Sequence, residues 1–532
     1  MRKIFFLVAV SMLVSAGLLF GGGGRQSTAA PSVSGETTFT LLVDADRAVG
    51  PGWYALYDVI AKESGVRVQP QIYPYQAALE QKNIMLNTGN YPDAIGGWLL
   101  NDNDIMTLSG EGAIIPLESY IANTVNIKEA LDRPGIRQSM TLPDGHIYSP
   151  PYVVEEPIVS FSPWINQVWL DQLGLKMPTT TDEFRQVLIA FRDRIPAVNG
   201  QQIIPFSGDP NNLNLGTLAG WFGVNASGAG INAGYFSVIN GQIESTIIRP
   251  EYREFIKWFA GLYKEGLVDR ELYTQNLETW KAKGKQGLYG SSIAYGTGDY
   301  VAEIEPSIID TDPSKNWYGY TPIPVLRAPG VTNPVFRNNN NGMTLFRTQF
   351  AITDKAQAKA QRIIDWLDRI YDPIHSTECD AGPMGKTWNL TNLENGTQYW
   401  LPVNTTSWNQ DERDMNGWGG YSIPSLPKFR RPNWKEQPKP GYENEYKDKE
   451  VRDALYKPFL EKEVMPQLWL TAANARRAAD LQTAVSDYVV QKQAEWVSGQ
   501  ADIDREWDTY VAQLNRLGLQ ELLQLKRGAV RR

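Results

Sequence analysis

The chain is predicted to be an α/β protein of two domains that opens on a mostly parallel sheet. Three observations carry that prediction. Strand-like and helix-like segments alternate strictly between residues 38 and 95, the order that winds parallel strands past crossover helices. At 532 residues the chain exceeds what a single compact core accommodates. Its 42% hydrophobic and 21% charged content is that of an ordinary soluble protein.

The elements follow in order. Thr38–Val43 (TFTLLV) reads as a buried strand, Trp53–Ser64 as a helix, and Val66–Ile72 as an alternating second strand. Tyr75–Asn87 is a helix ended by Gly89, and Tyr91–Ile95 a short strand before the Gly96–Gly97 turn. Ligands of such sheets sit beyond the strand carboxyl ends, which selects Asp44–Asp46 and Trp98–Asn101 as cleft-lining loops. Further on, Trp164–Leu173 reads as a helix closed by Gly174. Pro178 blocks its continuation, Thr180 caps the next helix, and Glu183 stands where a capping-box carboxylate belongs. In that helix, Thr181–Arg194, the residues Phe184, Val187, Leu188 and Phe191 share one face. Glu251–Lys264 is a helix with an apolar stripe of Tyr252, Phe255, Ile256, Phe259 and Tyr263, which reads as core. Lys355–Tyr371 is an Ala-rich helix. Residues 389–450 are loop-rich, an insertion-like region. The remainder is helical: Val451–Glu463, Leu481–Val497 and Asp502–Leu517, the last with Ile503, Trp507, Val511 and Leu514 on one face. There is no internal repeat and no coiled-coil heptad.

Arg2 and Lys3 precede an apolar run, Ile4–Phe20, and then glycines and small residues, the pattern of a secretory signal cleaved after Ala30. Residues 31–36 read as a disordered linker. A formal charge of −8 argues against nucleic acid or an anionic membrane as partner. Cys379 is the single cysteine, which excludes an intramolecular disulfide and a multi-cysteine zinc site. Gly385-Lys386-Thr387 fails as a phosphate loop because Asp380 stands where the first glycine is required. Gly296-Thr297-Gly298 lacks the third glycine of a dinucleotide fingerprint, and Asp102 and Asp104 lack the Gly and terminal Glu of a calcium loop. The two histidines, His146 and His375, accompany no nucleophile or metal motif. Paired carboxylates of a glycosidase can converge from any separation, with Glu155–Glu156 and Asp44/Asp46 as candidates, although solvation is the commoner role. No metal and no cofactor is expected. Chance accounts for the four sequons at Asn225, Asn389, Asn395 and Asn404.

The run Trp169–Phe184, WLDQLGLKMPTTTDEF, closely resembles a segment of the extracellular solute-binding proteins, family 1, that serve sugar ABC importers. Tyr75–Ile95, Ala351–Lys355 and the turn GPMGKTW (Gly382–Trp388) are similar to further segments of that family. The resemblance implies the periplasmic-binding-protein type II fold, two discontinuous α/β lobes joined by a hinge, with a helical C-terminus. Lobe boundaries follow: 37–155 plus 325–380 for the N-terminal lobe, and 156–324 plus 381–532 for the C-terminal lobe. Crossings between lobes are expected in Pro151–Leu170, in Trp317–Phe350 with Asn338–Asn341 as a polar turn, and in Ile374–Trp388. Two departures matter. Where relatives carry a calcium-loop-like run, this chain has Ile195–Gln202 (IPAVNGQQ), without a carboxylate. Asn166 stands where relatives often place an arginine. The family's lipobox cysteine is also absent, so the mature protein is expected to be a freely soluble, monomeric periplasmic protein.

A sugar site needs flat aromatics for stacking and Asp, Asn, Gln or Arg for hydrogen bonds. With 17 Trp and 25 Tyr in the chain, most are core; those on loops at strand ends are the candidates. Trp98 heads them, with Asn101 and Asp102 beside it. Tyr295, in SIAYGTGDY, falls where sugar-binding relatives often place a stacking aromatic, with Asp299 and Tyr300 following. Trp221 lies in a Gly/Asn-rich stretch. Tyr73, Trp164, Trp388 and Trp418 complete the set. The implied function is delivery of an oligosaccharide or similar polar solute to an ABC permease. A secreted glycosidase and a binding protein for a non-sugar solute remain alternatives at this point.

Overall fold

The computed structural model describes residues 36–45, 55–155, 161–198, 200–208, 215–226, 235–294, 296, 319–337, 343–392, 398–402, 429, 434–436 and 451–530. The expected signal and linker, 1–35, lie outside them. The opening alternation is as expected. β1 (Thr37–Ala45), α1 (Ala55–Ser64), β2 (Val66–Pro74), α2 (Tyr75–Thr88) and β3 (Ala94–Gly96) follow in order. They form a sheet of order β12-β3-β1-β2, with β1 parallel to both neighbours and β12 (Phe350–Ile352) antiparallel on β3. The small helices α4 (Glu118–Ile121), α5 (Asn126–Leu131) and α6 (Ile136–Met140) pack on the face that carries Leu41 and Val43, and α3 (Asp102–Gly110) packs on the opposite face with Leu42 and Ile95. The main helix of this unit is α12 (Ala360–Ile370), whose Ile363, Ile364, Trp366, Leu367 and Ile370 are buried. They pack on Phe39, Leu41, Val43 and Ile60 in one hydrophobic cluster. Asp93 ties strand to helix: it accepts from the Thr40 N–H (2.7 Å) and pairs with Lys359 (2.8 Å).

A second sheet has the order β10-β5-β9-β6, formed by β5 (Ser162–Asn166), β6 (Ile204–Gly208), β9 (Tyr289–Ala294) and β10 (Tyr320–Pro322). Only β6 and β9 are parallel. Around it lie α7 (Gln167–Leu173), α8 (Thr181–Arg194), α9 (Gly216–Ala219), the hairpin β7–β8 (Phe236–Ile239, Gln242–Ser245), α10 (Pro250–Lys264) and α11 (Leu277–Lys285). Thr180 and Glu183 form the expected capping box of α8. The stripe on α10 is buried in the second core, with Leu262 there and Tyr263 only packed against it. The strand β5 corrects the helix expected from Trp164. All five of its residues are buried between two neighbours, a central position that the apolar run Pro163–Ile165 suits, and Asn166 instead caps α7 by accepting from the Trp169 N–H (3.1 Å).

A two-stranded ribbon, β4 (Tyr152–Glu155) against β11 (Met343–Phe346), contributes Val153 and Leu345 to the first core. Val325, Leu326, Ala328 and Phe336, which follow the boundary expected at 324/325, pack in the second core. α13 (Pro373–Ala381) packs on the first core, with Cys379 buried there. It is pinned by His375, whose ring meets Glu378 (2.8 Å) and Glu63 of α1 (3.1 Å). Burial pulls that imidazole's pKa down, but the hydrogen bonds and charge of the two carboxylates outweigh it and raise it to about 9. β13 (Trp388–Asn392), β14 (Gln398–Pro402) and β15 (Trp434–Glu436) form a small sheet, and Phe429, which precedes β15, packs in the first core. Residues 451–456 are helical, and Tyr456 is in the second core. The chain ends in α14 (Ala472–Ser498), α15 (Ile503–Arg516) and α16 (Leu519–Gly528). Ile503, Trp507, Tyr510 and Leu514 of α15 are buried, with Tyr510 rather than Val511 completing the face.

Candidate functional site

Strands β1, β2 and β3 all end at one edge of the first sheet, and their register brings specific side chains together there. Asp44 lies opposite Tyr73 on the β1–β2 ladder. Leu42 lies opposite Ile95 on the β1–β3 ladder, so the turn after β3 arrives level with Asp44. Gly97 makes that turn at φ +76°, and a Cβ there would stand 2.0 Å from Asp44 Oδ1. Only glycine fits, on both conformational and steric grounds. The close approach lets the buried Asp44 carboxylate accept the Trp98 backbone N–H at 2.7 Å, fixing the residue that carries the indole.

Trp98 is half-buried. Its ring meets Phe346 edge-on at 4.8 Å and Tyr152 at 6.3 Å. Tyr152 and Phe346 are themselves opposite one another on the β4–β11 ribbon, with ring centroids 5.3 Å apart. The three aromatics therefore form one cluster where the ribbon leaves the sheet edge. Tyr73, half-buried at the end of β2, sits on the same edge. A flat, partly covered aromatic beside a polar strand end suits a ligand with C–H faces and hydroxyl edges.

The two polar candidates beside Trp98 have structural duties. Asn101 caps α3: its side chain accepts the Asp104 N–H (3.0 Å), while Asp104 accepts the Asn101 N–H (3.2 Å). Asp102 is held by Arg347, Nε to Oδ1 at 3.0 Å and Nη2 to Oδ2 at 2.6 Å. Both stay exposed, so their remaining lone pairs face solvent. Other candidates are core. Trp221 is 0% exposed and packs edge-on against Phe184 (5.6 Å) and Trp258 (5.9 Å). The glycine-rich stretch around it is helical, α9 followed by a 3-10 turn at Gly220–Phe222. Gly220 lies so close to Val335 that a Cβ would stand 2.1 Å from its carbonyl oxygen. Those glycines serve close packing rather than a loop. Trp164 is buried, donating from Nε1 to the Ala294 carbonyl at 3.2 Å. Trp388 is buried, donating to the Gly382 carbonyl at 2.8 Å. None of these three rings offers a face to a ligand in this conformation. Tyr295, Asp299 and Trp418 lie outside the described residues. Tyr295 nonetheless follows directly on β9, which ends beside β6, the parallel pair of the second sheet.

An open pocket of about 240 Å³ lies elsewhere, beside the second core, lined by the β7–β8 hairpin and residues 461–463. Its carboxylates are engaged: Glu461 accepts from Asn225 (2.8 Å) and Ser237 (2.9 Å), and Glu463 from the Gly241 N–H (2.8 Å). Among the described residues no group of three or more His, Cys, Asp or Glu could hold a metal ion, and no helix is long and apolar enough to cross a membrane.

No family model matches the chain. Among curated proteins it is similar to the fructooligosaccharide ABC transporter substrate-binding protein FusA of Streptococcus pneumoniae, at 28% identity over 98% of this chain and 97% of the relative. Among solved structures, that of S. pneumoniae FusA in complex with kestose matches with a TM-score of 0.75 at 25% identity, over 92% of this chain and 98% of that one. An HMO-binding, ABC-transporter-associated solute-binding protein from Bifidobacterium longum infantis matches with a TM-score of 0.76 at 21% identity, over 93% and 98%. That last likeness concerns the fold alone.

Proposed function

We propose that this chain, which belongs with the extracellular solute-binding proteins of carbohydrate ABC transporters, captures an oligosaccharide at the carboxyl edge of its first sheet. The observation that carries this is the half-buried Trp98, fixed by Asp44 and backed by Phe346 and Tyr152. Full-length similarity to FusA, named for fructooligosaccharides and solved with kestose, supports a short oligosaccharide as the solute. The relatives are binding proteins of importers, which sets the glycosidase alternative aside.

The two hydrophobic cores are the centres of two lobes. One comprises roughly 36–155 and 343–436, the other 161–337 and 451–530. The β4–β11 ribbon is the hinge between them. The second lobe meets the sugar at the carboxyl ends of β6 and β9, and Tyr295 and Asp299, which follow β9 in the sequence, are its candidate contacts. Closure buries the sugar between both edges, and the closed form is what the permease subunits recognise. The protein is exported and works in the periplasm. Its output is an equilibrium between open and closed forms, biased only by the difference in ligand affinity between them.

Tryptophan fluorescence against kestose, nystose, maltotriose and trigalacturonate tests the reading. Saturable quenching by at least one of them, with the sugar recovered unchanged, is expected. Release of reducing ends would replace binding with hydrolysis, and no response to any oligosaccharide would leave a non-sugar solute as the better reading.

A further inference from the structure

Arg347 follows Phe346 at the end of the β11 ribbon strand and is 7% exposed. Its guanidinium does three things at once. It grips Asp102 through two hydrogen bonds, at 3.0 and 2.6 Å. It donates from Nη2 to the Leu468 carbonyl at 2.5 Å. And it lies over the Trp469 ring, 3.8 Å from the centroid. A planar fork that stacks and pairs simultaneously is something arginine provides and lysine does not.

The partners belong to two different parts of the molecule. Asp102 opens α3, four residues after Trp98, on the loop that carries the indole. Leu468 and Trp469 belong to the strap that leads into α14. That strap is sewn to the first core: Trp469 Nε1 donates to the Ser139 carbonyl (2.7 Å) and Gln467 Nε2 to the Leu345 carbonyl (2.9 Å). Trp469 itself is buried with Ile95, Leu99 and Leu100, the apolar residues flanking Trp98. From Thr471, which caps it, α14 then runs into the second core, where Leu481, Val485, Val489 and Trp496 are buried. The strap is thus a further connection between the cores beside the β4–β11 ribbon, and Arg347 touches both connections.

We infer that Arg347 is a positioning residue that joins the Trp98 loop to the strap Gln467–Leu470, so that an oligosaccharide settling on Trp98 is felt by α14 and the second lobe. The inference rests on the oligosaccharide reading above. Its physical content is that the loop and the strap share one rigid side chain. A ligand that immobilises residues 97–102 therefore also restricts residues 467–471, and the free energy of binding at one becomes a bias on the other.

Hydrogen exchange on the full chain, with and without kestose, nystose, maltotriose and trigalacturonate run separately, tests it. In the natural protein a bound sugar should protect both 94–101 and 467–474. In Arg347→Gln the protection of 94–101 should persist, while sugar-dependent protection of 467–474 falls to less than about a third. Asp102→Asn, which leaves the stacked guanidinium in place, should uncouple the strap in the same way and stands in if the first variant does not fold. A merely structural arginine would raise exchange in both segments equally, with or without sugar. Strap protection undiminished in a folded variant would overturn the inference while leaving the site intact. Absence of protection at 94–101 with every sugar would instead remove the oligosaccharide reading, and the inference with it.

Discussion

Replacing Trp98 by alanine isolates the proposed stacking surface. The indole is only half-buried in the free protein, so a sugar ring can cover the remainder, on the order of 80 Å² of apolar surface. At about 25 cal/mol per Å² that contact is worth about 2 kcal/mol, and at 1.4 kcal/mol per decade its loss weakens binding about 30-fold. The fold should lose a comparable amount. Two aromatic contacts go, to Phe346 and Tyr152, each worth about 1 kcal/mol. The backbone N–H that Asp44 accepts is retained. Isothermal titration against the oligosaccharide that quenches most strongly, beside a thermal melt, separates the two effects. An unchanged Kd in a folded Trp98→Ala protein would refute the reasoning, because it would mean that no ligand face exists at the end of β3. A collapse of the melting temperature in parallel with affinity would equally reduce Trp98 to a packing residue.

Other perturbations have distinct signatures. Trp221→Ala should cost about 3–5 kcal/mol of stability, the range for emptying a buried aromatic site, while any protein that stays folded binds sugar within about threefold of normal; a selective loss of affinity would return Trp221 to the site. Gly97→Ala forces a Cβ onto Asp44 Oδ1 and should abolish sugar binding by moving Trp98, as titration calorimetry would register. Because the folded pKa of His375 is raised to about 9 from an ordinary 6.5, its contribution is complete below about pH 6.5 and disappears as pH rises through 9. Melting temperatures between pH 6 and 10 should therefore decline more steeply in the natural protein than in His375→Gln, and parallel curves would show that the Glu63–Glu378 cluster does not titrate as described. Calcium chelation should leave the melting temperature unchanged, since the run Ile195–Gln202 has no carboxylate to offer a hard cation.

Much of the architecture was legible in the sequence because local rules and tertiary demands agree there. The opening alternation, the Thr180–Glu183 capping box and the α10 stripe are cases where period, cap and burial coincide. Where they diverge, the sequence misleads. Trp164 looked helical because it precedes a helix, yet its burial between β-neighbours makes Ser162–Asn166 a strand. Trp221 looked like a loop residue because its glycines suggest irregular backbone, when Gly220 exists to let Val335 approach. The position of Trp98 just beyond a strand end was visible from local pattern alone. Its supports Tyr152 and Phe346 were not, because their pairing depends on a ribbon register between segments nearly 200 residues apart in the chain. Long separations also hide the Arg347–Asp102 pair and the contact of Arg347 with Trp469. What local pattern offered there was only an aromatic at each end of two short alternating runs.

A crystal structure of the chain with its oligosaccharide bound addresses the central claim most directly. It should show a sugar ring lying flat on Trp98 at van der Waals separation, about 4 Å, enclosed between the carboxyl edges of the two sheets with Tyr295 on the opposing side. A sugar seated away from the β1–β2–β3 edge, with Trp98 uncovered, would contradict it.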